Sequence, residues 1–324
     1  MPLPDRLANP LTLIVMLGLI AACSQPDDST GGAIDTPMDS LVTAEWLSEH
    51  LNDSDLVVLD CTVLVQPSED GGFSIVNGRA HYEEGHIPTA GFADLMGDLS
   101  DGDSPFQFAV PTPERFAAAM SALGVSDDSR VVLCDASGSA WAARVWWMLR
   151  WIGFDDAALL DGGLAAWTAD GQSLSTETVD RPAGSLTVDL RPELIVGKEE
   201  VLAAIGDDSV SIIDAQSEAQ NRGEMSMYGR PGHIAGASTV PMMSLIDETG
   251  RFRPLDELDE LLAGDRDARS ITYCGGGIAA SANAFLMTRL GYKDVAVYAA
   301  SLQEWAEDES LPMEVAPALE AVGE

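Results

Sequence analysis

The chain has little positive charge, and very little of that charge is lysine. Its 324 residues include 17 lysines and arginines against 53 aspartates and glutamates, a formal net charge of −36. Only Lys198 and Lys293 are lysines. A surface with this charge repels phosphate, which excludes nucleic-acid binding as a function class. Such acidity suits either general solubility or a high-salt habitat, where screening relieves self-repulsion.

The chain also lacks a hydrophobic run long enough to cross a membrane. The longest, residues 11–22, has twelve largely apolar residues, whereas a spanning helix needs about 20. A run of this length is typical of the core of a signal peptide. We therefore predict that residues 1–22 are a signal peptide and that the protein is exported.

The signal-like run ends at a cysteine. Residues 20–23 read Ile-Ala-Ala-Cys, which resembles the lipobox of bacterial lipoproteins. That resemblance implies cleavage before Cys23 and lipid attachment to Cys23. Because Ser24 rather than aspartate follows, it also implies anchoring at the periplasmic face of the outer membrane. Residues 23–38 are polar and Gly-rich, as a flexible tether should be. A plain secretory signal, or a start codon misplaced ahead of a cytosolic protein, is the alternative.

Cysteine is scarce, with Cys23, Cys61, Cys134 and Cys274 as the complete set. If Cys23 is acylated, three remain, and an odd number in an oxidising compartment leaves at least one thiol unpaired. No two cysteines have C-x-x-C spacing, and the four histidines form no ligand pattern with them. We therefore predict no structural metal, and no motif indicates a cofactor.

Apolar residues make up 46% of the chain, which is enough for a core, and the length suggests two domains. The part after the tether repeats itself once, at an offset of about 140 to 154 residues. Four landmarks recur in the same order, which predicts two copies of one domain. The matched landmarks are residues 57–60 with 212–214, 85–88 with 232–235, 131–135 with 270–274, and 161–167 with 299–305.

Each copy alternates short β-branched runs with helical patterns, which predicts an α/β domain with a mostly parallel sheet flanked by helices. The predicted strands include residues 57–59, 131–133, 212–213, 271–273 and 295–298. Ligands of open α/β sheets bind beyond the carboxyl ends of strands. Two turns have that position, one after Leu133 and one after Tyr273.

The turn after Tyr273 carries a candidate nucleophile. Residues 274–281 read Cys-Gly-Gly-Gly-Ile-Ala-Ala-Ser, and a helix is predicted from there to about Leu290. Three successive glycines let backbone N–H groups curl inward around an anion. The helix N-terminus adds about half a positive charge. Both effects favour the Cys274 thiolate, which is the nucleophilic form. A buried structural cysteine beside a turn is the alternative.

A cysteine phosphatase is one candidate for such a loop. That class places an arginine six residues after the cysteine to clamp phosphate. Ala280 stands at that position, so phosphoryl transfer would lack its charge stabilisation. The sequence therefore disfavours this class.

The whole arrangement resembles the rhodanese family, specifically the tandem-domain sulfurtransferases, over about residues 41–312. Its marks are residues 83–88 (Glu-Glu-Gly-His-Ile-Pro), 144–147 (Arg-Val-Trp-Trp), 160–164 (Leu-Asp-Gly-Gly-Leu), 222–223 (Arg-Gly), 230–234 (Arg-Pro-Gly-His-Ile) and the Cys274 loop. The resemblance implies two tandem rhodanese-like domains. Residues 39–175 would form an inactive copy with Asp135 at the cysteine position, and residues 190–315 the catalytic copy.

The resemblance also assigns roles to individual residues. Cys274 would carry the sulfur as a persulfide, which a thiol, dithiol or cyanide then removes. Arg222 and Arg230 match the family's two substrate arginines, and a surface ion pair is the alternative for each in so acidic a chain. His86 matches a histidine that assists in mercaptopyruvate enzymes, and a purely local hydrogen bond is the alternative. The loop expected to cradle the persulfide consists of Gly275, Gly276, Gly277, Ile278 and Ala279.

Departures from the family pattern leave the donor open between thiosulfate and 3-mercaptopyruvate. Gly275 fits the mercaptopyruvate type, whereas Gly276 replaces a serine of that type and fits neither. The proton relay proposed for mercaptopyruvate enzymes uses an aspartate, a histidine and that loop serine. His86 matches the histidine, Asn77 stands near the aspartate position, and the serine is missing. The absence of loop cations favours 3-mercaptopyruvate.

The alternative to an enzyme is a lipid-anchored, non-catalytic module that binds an anion or senses sulfur through the same pocket. The intact Cys274 loop argues against it, because a dead copy usually loses its cysteine. In either case the expected partners are small molecules and, through the lipid anchor alone, a membrane. The oligomeric state is open.

Overall fold

The computed structural model describes residues 38–68, 73–136 and 138–316. The predicted signal peptide, Cys23 and the tether up to residue 37 lie outside the described residues. Within them, the chain forms two similar halves. The predicted domain limits, 39–175 and 190–315, stay predictions.

The first half alternates strands and helices along the chain. Its strands are β1 (Leu41–Val42), β2 (Leu56–Asp60), β3 (Val63–Pro67), β4 (Phe73–Asn77), β5 (Gly91–Phe92), β6 (Arg130–Cys134) and β7 (Ala157–Leu160). Its helices are α1 (Ala44–His50), α2 (Arg79–Glu84), α3 (Pro113–Ala122), α4 (Ala140–Trp151) and α5 (Gly163–Ala169).

The second half follows the same plan after a 3-10 turn at Pro192–Leu194. Its strands are β8 (Ile195–Val196), β9 (Val210–Asp214), β10 (His233–Ile234), β11 (Ser238–Thr239), β12 (Arg269–Tyr273), β13 (Asp294–Tyr298) and β14 (Met313–Glu314). Its helices are α6 (Lys198–Ala204), α7 (Glu218–Asn221), α8 (Leu255–Leu261), α9 (Ile278–Arg289) and α10 (Ser301–Trp305), with a second 3-10 turn at Met242–Leu245.

The two main sheets have one topology. The first has the strand order β1-β7-β6-β2-β5 and the second the matching order β8-β13-β12-β9-β11. The paired strands within both sheets run parallel. The central strands are buried apolar runs, as expected for sheets covered on both faces. The predicted α/β class and the internal repeat are therefore confirmed.

An antiparallel hairpin of β3 and β4 adds to the first half, and the sequence pattern did not predict it. Its residues are only partly buried, and Val65 and Phe73 are exposed. Its sequence does not alternate clearly between apolar and polar residues, so the pattern alone does not distinguish this short strand pair from a loop.

Helices α4 and α9 pack against each other and join the two halves. The rings of Trp146 and Phe285 meet edge to face, with centroids 4.8 Å apart. Trp147 is also buried, and its indole N–H donates to the carbonyl of Leu194 at 2.9 Å. The Trp-rich helix thus packs in the core between the halves. Each of these helices begins directly after a loop at a strand end, so both loops lie near this interface.

Candidate active site

Cys274 is the first residue after β12 and is 5% exposed. The Gly277 N–H donates to its Sγ at 3.1 Å. The Cys274 N–H donates to Ser301 Oγ at 3.1 Å, and the Cys274 carbonyl accepts from the Leu302 N–H at 3.2 Å. The start of α10 therefore holds the backbone of the loop, while the start of α9 directs an N–H at the sulfur.

A neighbouring group occupies the place of a Cβ at each of the three glycines, and the turn itself requires glycine at Gly277. A Cβ on Gly275 would overlap the hydroxyl of Tyr228, and one on Gly276 would overlap the side-chain amide of Gln303. Gly277 has φ +81°, and a Cβ there would lie 2.5 Å from the carbonyl oxygen of Ala299. The glycines thus allow close approach of three different elements as well as the left-handed turn.

The matching loop of the first half holds a carboxyl group of the protein itself. The buried Asp135 carboxylate accepts N–H bonds from Ser139, Trp141 and Ala142 at 3.0–3.1 Å. Burial raises the pKa of Asp135 to about 7, although the N–H bonds act to lower it. The first loop has five residues, 135–139, and the second has four, 274–277. The residue just before the helix donates its N–H in both halves, Ser139 to the Asp135 carboxyl group and Gly277 to the Cys274 sulfur.

A cavity of about 340 Å³ opens onto Cys274, and both halves line it. Phe108 and Trp141 of the first half face Tyr228, Met242 and Met243 of the second across it. Its complete lining within the described residues is Ile75, Gln107, Phe108, Ala140, Trp141, Ala215, Gln216, Ser217, Gln220, Tyr228, Met242, Met243, Cys274, Gly275, Gly276, Ile278, Ala279 and Gln303. Among these side chains no acidic or basic one occurs, so the wall is apolar with scattered amide and hydroxyl groups.

Of the loop residues predicted to cradle a persulfide, Gly277 contacts the sulfur through its N–H. Gly275, Gly276, Ile278 and Ala279 line the cavity around it. The structure thus brings the predicted loop together around Cys274.

The two predicted substrate arginines lie outside this cavity wall. Arg222 donates to Glu218 at 3.0 Å and to Glu224 at 2.8 Å. The bonds to Glu224 and Glu218 raise the pKa of Arg222. Arg230 donates to the carbonyls of Leu311 at 3.0 Å and Trp305 at 3.3 Å. In this conformation each guanidinium is engaged by the protein itself.

His86 is also placed away from Cys274. It is 1% exposed, and its ring nitrogens bond the carbonyl oxygens of Tyr82 at 2.9 Å and Glu177 at 3.1 Å. Its ring stacks on Tyr82 with centroids 4.0 Å apart. Asn77, near the relay position, donates to Asp94 at 2.8 Å. The structure therefore does not bring the predicted assisting residue to the nucleophile.

The other two described cysteines differ sharply from Cys274. Cys61 and Cys134 are free and fully buried in the first half. Burial raises the pKa of each thiol well above its ordinary value, and Asp60 adds to the effect. Both are therefore held in the unreactive protonated form.

Three further residues shape the site. The Gln303 amide accepts from the Gln107 N–H at 2.8 Å and donates to the Gln107 carbonyl at 3.1 Å, which ties α10 to the first half at the cavity edge. Tyr228 covers Gly275, and burial raises its pKa to about 12. Arg144, from α4, lies behind Gly277. These contacts join residues distant in sequence, so spacing gave no signal for them; Arg144 stood out only as part of the Arg-Val-Trp-Trp mark.

No helix in the part of the chain that the structure describes is long and apolar enough to span a membrane. No group of three or more histidine, cysteine, aspartate or glutamate side chains is arranged there to hold a metal ion.

Comparison with known proteins gives consistent matches. A family model described as a rhodanese-like domain matches residues 43–170 and 197–308. The chain is 35% identical over 279 residues to 3-mercaptopyruvate sulfurtransferase of Escherichia coli K12, covering 84% of this chain and 97% of that protein. It is 28% identical over 276 residues to thiosulfate sulfurtransferase of Gallus gallus, covering 82% and 93%. The crystal structure of the 3-mercaptopyruvate sulfotransferase SseA from Escherichia coli superimposes with a TM-score of 0.73 at 34% identity, covering 82% of this chain and 99% of that one.

Proposed function

The chain belongs to the rhodanese family as a sulfurtransferase of the 3-mercaptopyruvate or thiosulfate type, and we propose that 3-mercaptopyruvate is its preferred donor. The resemblance found in the sequence and the two rhodanese-like domains are confirmed. The non-catalytic binding module is not favoured, because these curated relatives are named as enzymes.

The observation that carries the proposal is the environment of the Cys274 sulfur. An N–H from Gly277 points at Sγ, and the sulfur faces an open cavity. A preformed donor of this kind stabilises negative charge on the atom it faces, in the thiolate and in a persulfide alike. Cys61 and Cys134 have neither this donor nor access to a cavity of this kind.

The proposed transfer has two covalent steps at Cys274. The thiolate attacks the sulfur of 3-mercaptopyruvate, an S–S bond forms, and the C–S bond breaks. The electron pair of that bond passes to carbon, and one proton from solvent converts the departing enolate to pyruvate. The persulfide left on Cys274 is then attacked at its outer sulfur by a thiolate or cyanide. That acceptor keeps the sulfur, and the Cys274 thiolate returns.

The preference for 3-mercaptopyruvate over thiosulfate rests on charge. Gly275 and Gly276 place no cation beside the nucleophile, and the described cavity wall has none either. A doubly charged donor gains little stabilisation from such a wall, whereas a donor with one carboxylate loses less on leaving water. We further propose that Arg222 and Arg230 hold that carboxylate after releasing their present partners.

A comparison of donors and a mass measurement test this function together. We expect a higher kcat/KM for 3-mercaptopyruvate than for thiosulfate. We also expect one added sulfur on Cys274 after donor treatment, removable by cyanide. Cys274→Ser should abolish transfer, because a serine hydroxyl stays protonated at working pH. Cys61→Ser and Cys134→Ser are matched controls that should keep most activity. A sulfur adduct on either control residue would contradict the mechanism.

We also propose that the enzyme is lipid-anchored in the cell envelope through Cys23. The support is the short apolar run and the lipobox-like ending described above. Stable anchoring needs more than one acyl chain. Cys23→Ala should release the protein into the soluble periplasmic fraction and remove metabolic lipid labelling. An unlabelled, soluble wild-type protein would refute this localisation.

A further inference from the structure

Arg144 is a buried cation whose partners in the protein are incomplete. It lies in α4 of the first half and is 0% exposed. Its Nη2 donates to the carbonyl of Phe108 at 2.9 Å. Within the described residues, Nε and Nη1 have no hydrogen-bond partner, and no carboxylate pairs with the guanidinium. Burying a charge without a counter-charge is costly, so an unpaired arginine here calls for an explanation.

The free edge of the guanidinium faces the Cys274 loop. A Cβ placed on Gly277 would lie 3.1 Å from Arg144 Nη1, so Nη1 lies directly behind this residue. The N–H of the same Gly277 donates to Cys274 Sγ. Arg144 therefore lies next to the residue whose backbone N–H contacts the sulfur, and it is not among the residues that line the open cavity.

The other titratable groups near this point do not supply the missing negative charge. Tyr228 and Tyr273 are buried phenols whose pKa values are raised, so both are neutral. Asp135 is engaged by three N–H groups of its own loop. Burial lowers the pKa of Arg144 to about 10, and negative charge on Cys274 acts in the opposite direction. The sulfur is the remaining candidate for the counter-charge.

We infer that Arg144 is a positioning residue through which the first half stabilises the anionic sulfur of Cys274 in the second half. It acts from behind Gly277 and does not touch the donor. This inference rests on the proposed function to the extent that Cys274 works as a thiolate and persulfide. It also gives the first half, whose own loop is filled by Asp135, a direct part in the chemistry.

The test is the pH dependence of Cys274 alkylation by iodoacetamide in the full chain. Arg144→Gln removes the cation, so the thiolate fraction should fall and the pH profile should move upward. At about pH 6.5 we expect a loss of about tenfold in the alkylation rate, which corresponds to a shift of one pH unit. Arg144→Lys keeps a charge and should recover most of the rate. Thermal melting checks that each variant is folded.

Arg150→Gln is the matched control. Arg150 lies on the same helix, half-buried over the ring of Trp146 and 3.8 Å from Asp155, and removing it costs the same formal charge. It should leave the alkylation profile in place. An unshifted profile in folded Arg144→Gln, or an equal shift in Arg150→Gln, would overturn the inference. Alkylation needs no donor, so a shifted profile without sulfur transfer would refute the proposed function and leave the role of Arg144 standing.

If Arg144→Gln does not fold, Arg144→Lys takes its place, with Arg150→Lys as its control. Arg144→Lys keeps the positive charge behind Gly277, so its alkylation rate at about pH 6.5 should stay close to that of the wild type. A folded Arg144→Lys that is alkylated about tenfold more slowly than Arg150→Lys would contradict the inference.

Discussion

Gly277→Ala tests whether one backbone position controls the reactivity of the sulfur. Gly277 has φ +81°, and its N–H donates to Cys274 Sγ at 3.1 Å. A Cβ there would lie 2.5 Å from the Ala299 carbonyl oxygen and 3.1 Å from Arg144 Nη1. Because one neighbour is backbone and the other is fully buried, the loop itself has to move. That movement takes the N–H away from the sulfur.

The expected loss in stability is moderate. The left-handed conformation costs about 1–2 kcal/mol for an L-residue, and overpacking costs about 1–3 kcal/mol more. A typical domain is stable by about 5–15 kcal/mol, so we expect the variant to fold. Loss of a single preorganised N–H donor costs about 10²–10³ in turnover in comparable sites. Activity should therefore fall about a hundredfold or more in a protein that is still folded.

Gly291→Ala is the matched control at the other end of α9. Gly291 has φ +88°, but a Cβ there would meet nothing within 4 Å. The substitution should cost about 1–2 kcal/mol through conformation alone, with no change in turnover. The pair separates the effect of backbone strain from the effect of moving the donor.

The assay is steady-state pyruvate release from 3-mercaptopyruvate, with thermal unfolding followed in parallel. Folded Gly277→Ala with activity within about threefold of the wild type would refute the reasoning, because the measured loss would lie far below that for one lost donor. A loss of activity in Gly291→Ala as large as in Gly277→Ala would assign the effect to strain in α9 instead.

Two other predictions concern the carboxylates. Burial raises the pKa of Asp135 to about 7 and that of Asp214 to about 6. The folded state therefore binds more protons than the unfolded state between about pH 4 and pH 7, and the free energy of unfolding should fall as pH rises through this window. Urea unfolding measures this free energy, and high salt screens the surface charge during the measurement. A free energy of unfolding that rose with pH in this window would contradict the prediction. For the substrate site, Glu224→Gln and Glu218→Gln loosen the partners of Arg222, so KM for 3-mercaptopyruvate should fall with little change in kcat. An unchanged KM in the double variant would count against a substrate role for Arg222.

The sequence predicted the parts of the site that are local. Cys274, the three glycines and the following helix are contiguous in the chain. The stabilisation of a thiolate there depends on backbone N–H groups whose positions follow from this order of residues. The buried strands could be predicted for the same reason, because runs such as residues 131–133 carry their signal within a few residues.

What the sequence did not predict depends on contacts between distant segments. Tyr228 lies over Gly275, and the side chain of Gln303 hydrogen-bonds the backbone of Gln107. No short sequence pattern relates either pair of positions. For Arg222 the sequence left two roles open, a surface ion pair and a substrate contact, and the second was preferred. Glu218 lies four residues before it, at a spacing that favours pairing on a helix, but a family match to a substrate residue drew the interpretation towards a ligand instead.

The uncharged wall of the cavity has a consequence for how fast donors arrive. Around it is a chain with 36 more acidic than basic groups, so an anionic donor diffuses against a repulsive field and finds no local cation in the wall to offset it. Most binding sites for anions steer their ligands inward and lose association rate as ions are added. Here dissolved ions shorten the reach of the repulsion, to about 10 Å at 0.1 M and about 3 Å at 1 M. Encounter with the donor should therefore become faster as the ionic strength rises.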